Sequence, residues 1–593
     1  MSILFIFAIF WVYTAFGVPA MPFPAEHNLS GGGVIKIYHK GDEWLNWHET
    51  EDGYPLIFEA GKWYYAVLKN GALVSSGYEV GSVDPSLRGI TRNIGKELVN
   101  KKRLLIQQAK GVRPPPAAGL KAKQVTRRIL VIMVDFSDQA GTSTPDNIRA
   151  KFFGASGSVK HYFETVSGGN VNIFPVNENS GTPNDGVIGW VRMSGNHPEC
   201  QDLSNSANIN CHQNLARDAI TQAGSFVNSS DFNNYDSNGD GALTPEELSV
   251  IIVVAGFESA TSACKSNTAY DNRVWAHQYG FPTNPPTLGG KQILFYAMFG
   301  ENHCIQLSGG GTTTYPATIG VMVHELGHLT FSLPDLYDTD GSSEGIGIMG
   351  LMGSGAWGRV SASDYPGSSP VYPSAWTRVH LGWLNPTTHP ISSLQANVDL
   401  FEYTTSSANI IRVNTNSADE YFLLSYRSPK TGTYDEGLKG FAITTGGIAI
   451  YHVDSSKWPS CLATNDCNAN ESDKMVDFEE ADGSNALDSL GGSITDDMFF
   501  SDVSGRNQFN SGTNPSSSLK GGGDSGVSIT VVSKGTDKFT LDLTGGTPPS
   551  GGDGGAGGGG GGSGGCSAVS SNSLIYLVVA FLMFAFRTFR RFV

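Results

Sequence analysis

The chain has 593 residues, of which 39% are hydrophobic and 74 are glycine, and its formal net charge is −16. This length and apolar content predict more than one globular domain, rich in strands and loops. The negative charge argues against a nucleic-acid partner, because phosphate binding requires a basic surface and no cluster of Lys and Arg is sustained.

The first twenty residues predict a secretory signal peptide. Ile3 to Val18 is apolar, and the small residues of Val18-Pro19-Ala20 favour cleavage after Ala20. A membrane anchor is the alternative. Either interpretation sends the following chain out of the cytoplasm, so we expect a secreted or extracellular protein.

Residues 21–118 form the next predicted unit. It contains the alternating strand patterns Val34 to Tyr38 and Trp63 to Val67 and a basic, helix-like stretch from Ile94 to Lys110. The proline-rich segment Arg113 to Ala118 then marks a domain boundary. We hypothesise that this unit is a propeptide removed near the boundary; a permanent accessory domain is the alternative.

Residues 119–385 carry the patterns of a central sheet. Ile129 to Phe136 and Val250 to Val254 are continuous runs expected of strands buried on both faces, and Ser158 to Val166 predicts a helix between them. A third strand is predicted over Gln292 to Met298, where an edge strand could pair with an extended substrate. Ser374 to Leu381 predicts a further helix.

The segment from Asp236 to Glu247 matches the twelve-residue EF-hand loop and predicts one structural Ca²⁺ site. Gly241 allows the sharp turn of such a loop. No exiting helix or partner loop follows, and an unoccupied turn is the alternative. The expected oxygen ligands are Asp236, Asn238, Asp240, the Ala242 carbonyl, Thr244 through water and bidentate Glu247.

The sequence His324-Glu325-Leu326-Gly327-His328 is an HExxH motif within the predicted helix Ala317 to Phe331. Residues four apart share one helical face, so His324 and His328 can bind one Zn²⁺ with Glu325 beside the open coordination position. The motif predicts a zinc hydrolase.

Catalytic zinc normally has three protein ligands, so a third is needed. A metzincin spacing would place a glycine and a histidine at Phe331 and Pro334, which are both unsuitable. A thermolysin-like site would need a helical glutamate, and Glu344 lies in a Gly/Ser segment. We therefore favour Asp335, reached through the turn at Leu333-Pro334.

Residues 386–544 predict a β-rich C-terminal domain, with strands such as Tyr421 to Arg427 and Gly447 to Asp454. His452 and Asp454 alternate along one strand, and we interpret them as structural and not as a second metal site.

The seven cysteines fall into three couples close in sequence and one single residue. An oxidising compartment would make three disulfides natural, although six cysteines allow fifteen pairings. The couples are Cys200 with Cys211, Cys264 with Cys304 and Cys461 with Cys467, and Cys566 stands alone.

The C-terminal tail consists of a glycine-rich linker over 545–573 and an apolar segment with a basic end over 574–593. Its apolar run is short for a membrane span, and the tail resembles bacterial Gly-Gly sorting signals that a rhomboid-type protease removes. A sorting protease is thus an expected partner. Membrane contact is expected before or without processing, and a simple anchor is the alternative.

Several segments together resemble the peptidase M6 family, the immune-inhibitor-A-type metalloproteases. They are His324 to Asp338, Leu351 to Trp357, Gly41 to Tyr54, Asp231 to Glu247, Pro373 to Trp383 and Gly447 to Asp454. The resemblance implies an α+β protein, with a zincin-like catalytic domain of mixed sheet and HExxH helix followed by the β-rich domain. It implies zinc ligands at His324, His328 and Asp335, a general base at Glu325 and a Met-turn at Met352.

The expected function is therefore a secreted or surface-attached zinc endopeptidase that acts on proteins or peptides. Glu325 would take a proton from a zinc-activated water, and Tyr337 could stabilise the oxyanion, although a packing role is an equal alternative. An inactive, protease-like surface adhesin is the competing interpretation, and a zinc hydrolase of non-peptide substrates is another.

Overall fold

The computed structural model describes residues 16–29, 32–95, 97–98, 124–198, 200, 202–261, 273–306, 312–404 and 409–545. The basic helix-like stretch, the proline-rich boundary, Cys264 and the tail with Cys566 lie wholly or largely outside these residues. Within the described ranges, no helix is both long and apolar enough to cross a membrane.

An antiparallel sheet of six strands, ordered β1 to β6 as in the chain, forms the N-terminal region. Small hydrophobic clusters pack on it, including Tyr54, Leu56 and Tyr65. Both strands predicted here from alternation are present. The bounds are β1 Ala25–Asn28, β2 Val34–Gly41, β3 Asn46–Thr50, β4 Pro55–Glu59, β5 Lys62–Lys69 and β6 Ala72–Glu79.

The central sheet has the order β13-β16-β11-β7-β8, with β9 on β7, β12 on β11 and β17 on β16. Strands β7 and β11 pair in parallel and are almost wholly buried, as their continuous apolar runs predict. The bounds are β7 Val125–Asp135, β8 Val171–Pro175, β9 Val187–Arg192, β11 Ser249–Glu258, β12 Arg273–Val274, β13 His277–Gly280, β16 Phe295–Gln306 and β17 Thr312–Pro316. A small sheet joins β10 Ala242–Leu243, β15 Lys291–Ile293 and β14 Thr287–Leu288.

The prediction of strand structure over Gln292 to Met298 is confirmed in β15 and the start of β16, but the predicted edge position is wrong. The second half of this segment belongs to β16, which pairs in parallel with β11 on one side and antiparallel with β13 on the other. The short strand β13 therefore takes the edge beyond β16. A four-residue strand gives too little pattern in the sequence to reveal this.

Helices α1, α2, α3 and α5 pack on the central sheet, whereas α6 packs on strands of the C-terminal region. Helix α5 carries the HExxH motif and is buried along its whole length. Gly320 allows this close packing, because a Cβ there would lie 2.0 Å from the Ala356 carbonyl oxygen. The bounds are α1 Pro145–Phe153, α2 Val159–Val166, α3 Ser206–Ala223, α4 Ser229–Tyr235, α5 Ile319–Phe331, α6 Ala375–His380 and α7 Trp458–Thr464.

Two sheets make up the C-terminal region, ordered β18-β20-β21-β22-β23 and β19-β26-β25-β24. A hydrophobic cluster with members from both sheets, such as Phe422 and Leu541, forms their core, and the predicted β-rich region is confirmed. The bounds are β18 Thr387–His389, β19 Val398–Phe401, β20 Ile411–Asn414, β21 Glu420–Arg427, β22 Gly447–Asp454, β23 Val476–Phe478, β24 Gln508–Phe509, β25 Val527–Lys534 and β26 Lys538–Gly545.

Candidate metal centre and peptide cleft

Two imidazoles of helix α5 face each other across a buried space. The Nε2 atoms of His324 and His328 are 3.1 Å apart, and both side chains are buried. Each Nδ1 lies against a backbone carbonyl, at 2.9 Å from Leu351 O and 2.7 Å from Leu333 O. When Nδ1 donates to a carbonyl, Nε2 is left as an acceptor. Two acceptors facing each other at this distance are suited to a shared cation.

Asp335 completes this group. Its Oδ1 lies 3.3 Å from Nε2 of His324 and 3.2 Å from Nε2 of His328, and it accepts no hydrogen bond from the described residues. A tetrahedral zinc with ligand distances of about 2.0–2.1 Å separates its ligand atoms by about 3.3 Å. The three donors are thus of the type and spacing that fit zinc. Among the described residues, no other His, Cys, Asp and Glu side chains form such a group.

The turn after α5 explains how Asp335 reaches the histidines. Ser332 adopts a left-handed conformation with φ 54° and ends the helix, and the Leu333 N–H donates to Gly327 O at 3.1 Å. This wide turn brings the Leu333 carbonyl to His328, as described above. Further on, the Met352 carbonyl accepts from the N–H groups of Leu336 and Tyr337.

Asn465, at the end of α7, holds the backbone and the carboxylate of Asp335. Its Nδ2 donates to Asp335 Oδ2 at 2.6 Å, and its Oδ1 accepts from the Asp335 N–H at 2.9 Å. These two bonds orient the carboxylate with Oδ1 toward the histidines. Asn465 lies inside the loop closed by the disulfide Cys461–Cys467. Nothing in the sequence linked it to Asp335, 130 residues earlier.

Met352 lies directly against the HExxH helix. A Cβ built on Gly327 would come within 2.7 Å of the Met352 sulfur, so a larger residue between the two histidines would require the Met352 side chain to move. The neighbouring Met349 carbonyl accepts hydrogen bonds from Arg427 and Tyr451 of the C-terminal sheet. The C-terminal region therefore supports the turn beneath the metal centre.

Glu325 and Tyr337 are the polar groups next to this centre. Both are deeply buried. Burial raises the pKa of Glu325 well above its usual value, and the charges of Asp335 and Glu258 raise it further. Burial likewise raises the pKa of Tyr337, so its hydroxyl keeps the proton that it needs to donate a hydrogen bond.

Residues 117–384 match the family model of the immune inhibitor A peptidase M6 catalytic domain. The chain therefore contains a catalytic domain of the peptidase M6 family. It is accordingly a metallopeptidase, of a family that depends on zinc, and its His-His-Asp group fits that metal. No curated protein matches the chain.

An N-terminal segment of the chain, Phe16 to Met21, lies in the cleft of the M6 domain. The Val18 N–H donates to Glu325 Oε1 at 2.9 Å, and the Phe16 ring stacks on His328 with centroids 5.0 Å apart. Phe16 also forms an antiparallel bridge with Gln278 of β13. Cleavage after Ala20 would release most of this segment, and that cleavage stays a prediction.

In the predicted calcium loop, Asp236 and Glu247 are already engaged by other groups of the protein. Asp236 pairs with the Lys291 ammonium at 2.7 Å, which lowers the pKa of this carboxylate. Glu247 Oε1 accepts hydrogen bonds from the N–H and hydroxyl of Ser237, and Oε2 accepts from the N–H and hydroxyl of Thr244. The carboxylates of Asp236, Asp240 and Glu247 do not converge as metal ligands. Calcium binding stays a prediction that this arrangement does not support.

Two predicted disulfides are present, Cys200–Cys211 and Cys461–Cys467. Cys304 is also disulfide-bonded, and its predicted partner Cys264 lies outside the described residues.

His452 and Asp454, the pair interpreted from the sequence as structural, have separate partners. The His452 ring contacts Glu420 at 2.9 Å and Glu479 at 3.3 Å, while the Asp454 carboxylate accepts a hydrogen bond from the Ser456 N–H.

Proposed function

We propose that the chain is a secreted zinc endopeptidase that hydrolyses peptide bonds of proteins, with Glu325 as general base. The observation that carries this proposal is the convergence of His324, His328 and Asp335 beside a buried Glu325 that already holds a peptide N–H. The disulfides Cys200–Cys211 and Cys461–Cys467 support secretion, because such bonds persist in an oxidising compartment.

Zinc, when bound by these three residues, supplies the positive charge that polarises a water and the carbonyl of the substrate. Glu325 accepts the proton of the attacking water and then returns it to the leaving amine. Its bond to the Val18 N–H supports the second step, because that N–H marks where a substrate amine would lie. The Tyr337 hydroxyl, 3.1 Å from the Gly17 carbonyl oxygen, is suited to stabilise the oxyanion.

The N-terminal region is proposed to be a propeptide. A protein substrate can approach Glu325 only after the segment Phe16 to Met21 has moved, because this segment occupies the cleft. The N-terminal sheet also contacts the rim of the cleft, where Lys40 pairs with Glu344 at 3.2 Å. Removal of the N-terminal region would free the cleft of the segment Phe16 to Met21 and would break the Lys40–Glu344 ion pair.

Glu325→Ala tests the catalytic assignment. We expect the purified variant to retain about one zinc per chain and to lose nearly all casein hydrolysis, since the proton acceptor is gone while the ligands remain. Glu246→Ala, on the partly exposed calcium-type loop, is the matched control and should stay active. Proteolysis by a zinc-loaded Glu325→Ala chain would refute the assignment, and a folded, zinc-loaded but inert wild type, tested after removal of its N-terminal region, would favour the adhesin alternative.

A further inference from the structure

We infer that Trp275 and Trp357 bind the main chain of peptide substrates, and that the cleft selects glycine before the cleaved bond and a small aliphatic residue after it. This inference rests on the proposed function. It uses the segment Phe16 to Met21 as a peptide bound in the cleft, since the segment contacts the base, the proposed oxyanion donor and the edge strand.

The Gly17–Val18 peptide bond has the contacts expected of a bond about to be cleaved. Its N–H donates to Glu325, the proposed proton donor to the leaving amine. Its carbonyl oxygen accepts from Tyr337, the proposed oxyanion donor. These contacts define the register of the cleft: Gly17 occupies the position before the cleaved bond and Val18 the position after it.

Two indole groups donate hydrogen bonds to the main chain that follows this bond. Trp275 Nε1 donates to the Val18 carbonyl at 2.9 Å, and Trp357 Nε1 donates to the Pro19 carbonyl at 3.0 Å. Both indoles are buried, and an indole N–H can only donate. They therefore hold two successive carbonyls whatever the side chains are. Proline is accepted after Val18, because neither indole requires an N–H from it.

Selectivity for side chains comes from the space around the bond. A Cβ on Gly17 would lie 2.3 Å from the Ala276 carbonyl oxygen, a backbone atom of the M6 domain that cannot rotate away. The Val18 side chain is completely buried and belongs to the same hydrophobic cluster as Trp275 and Ala276. A charged residue at that position would lose its hydration without gaining a partner.

Strand β13 sets the direction of the peptide. The Phe16 N–H donates to the Gln278 carbonyl at 3.1 Å and the Gln278 N–H donates back, so the segment extends the sheet antiparallel to its edge. Main-chain pairing of this kind precedes the cleaved bond, while the indole contacts follow it. The cleft thus holds a peptide on both sides of the reacting atoms.

The test uses the full chain with Val18→Asp, which should displace the segment from the cleft. The substrates are three hexapeptides: Phe-Gly-Val-Pro-Ala-Met, the same peptide with Asp in place of Val, and the same peptide with Ala in place of Gly. We expect cleavage between Gly and Val, with kcat/KM about tenfold or more above that of the other two peptides. If Val18→Asp lowers the melting temperature, Val18→Gly replaces it.

Adding Trp275→Phe or Trp357→Phe to this chain should lower kcat/KM for the Val peptide by about tenfold, the effect of one lost hydrogen bond in a buried site. Trp190→Phe is the control, because Trp190 Nε1 also donates to a backbone carbonyl, but this carbonyl belongs to Ser143 and not to the segment. Calorimetric binding of the Val peptide to the Val18→Asp, Glu325→Ala chain should weaken by the same factor, which gives a readout without turnover.

The outcomes separate this inference from the proposed function. Casein hydrolysis with no preference among the three peptides, or with cleavage at another bond, would overturn the inference and leave the peptidase intact. A zinc-loaded chain that hydrolyses neither casein nor peptide would contradict the proposed function, and peptide binding would then decide the inference alone. Equal binding by the Trp275→Phe, Trp357→Phe and Trp190→Phe chains would overturn it.

Discussion

The zinc centre and the calcium-type loop were both predicted from short motifs, yet their side chains are arranged in opposite ways. At the zinc centre, donors from a helix and a following turn converge and leave Asp335 Oδ1 without a hydrogen-bond donor among the described residues. In the loop, the Asp236 and Glu247 carboxylates are engaged by Lys291 and by neighbouring hydroxyl and N–H groups. A motif supplies donors, but their surroundings decide whether the donors face one point.

The source of the difference lies in tertiary contacts. Asn465 from a distant helix aims the third carboxylate, and the Leu351 carbonyl orients His324. No distant group among the described residues directs the loop's carboxylates toward one point, and Lys291, the distant partner of Asp236, is a cation that competes for that carboxylate. Four experiments bear on this comparison, in order of decreasing expected effect.

Removing one carboxylate from each site should give unequal results. Substitution of a residue that supports a metal ligand lowers metal affinity or activity by up to about 100-fold. Asp335→Ala should lower zinc affinity and peptide hydrolysis by more than this, because a ligand itself is lost. Asp236→Ala should keep zinc content and casein hydrolysis within about twofold. Zinc analysis and casein turnover measure both, and equal losses would contradict the comparison.

The support of Asp335 can be weakened without touching a ligand. Asn465→Ala should lower zinc affinity by about 10- to 100-fold, because the carboxylate loses the amide that orients it. Competition with a chromogenic chelator measures this affinity. Asn470→Ala, an exposed position of the same region, is the control. An unchanged zinc affinity in Asn465→Ala would show that the turn after α5 is sufficient.

Glu247→Ala should destabilise the protein in calcium-free buffer by about 2–3 kcal/mol, because a charged acceptor of four hydrogen bonds is removed. Urea unfolding measures the change. The sequence-based calcium site makes a different prediction: stability gained on adding calcium to the wild type and lost in the variant. No destabilisation without calcium would favour that alternative.

His303 gives a contrast with the metal-centre histidines, because the described residues offer its ring no hydrogen-bond partner. Burial, with the nearby charge of Lys151, lowers the pKa of His303 to about 3. The pKa of His303 is therefore lower in the folded protein than in the unfolded chain. The free energy of unfolding is unaffected by this difference above pH 6.5, and it decreases as the pH falls from 6.5 toward 3, because the unfolded chain then binds the proton more tightly. At pH 5 the loss is about 2 kcal/mol.

We therefore expect His303→Phe to reduce the difference in unfolding free energy between pH 7 and pH 5 by about 2 kcal/mol. Urea titrations at both pH values test this. His161→Phe is the control, since its ring lies near the surface and contacts the Tyr434 hydroxyl at 2.7 Å. An identical pH dependence in wild type and His303→Phe would rule out the buried, neutral imidazole.

Local patterns predicted much of the fold. The continuous apolar runs of β7 and β11, the helical spacing of α5 and the alternation in the C-terminal sheets are all properties of neighbouring residues, and each element formed where expected. The edge of the central sheet was missed, because β13 is only four residues long and its role depends on strand order. Strand order is set by contacts between residues far apart in the chain.

The sequence alone predicted the candidate metal ligands, since the four-residue spacing places His324 and His328 on one face of a helix with Glu325 beside them, and Asp335 follows shortly after the helix ends. Only the tertiary structure decided how Asp335 is aimed, which groups engage the calcium-type loop and which segment lies over Glu325. Asn465, Lys291 and Val18 act across 130, 55 and 307 residues of sequence, respectively. Such contacts arise from the packing of distant segments and leave no periodic signal in the chain.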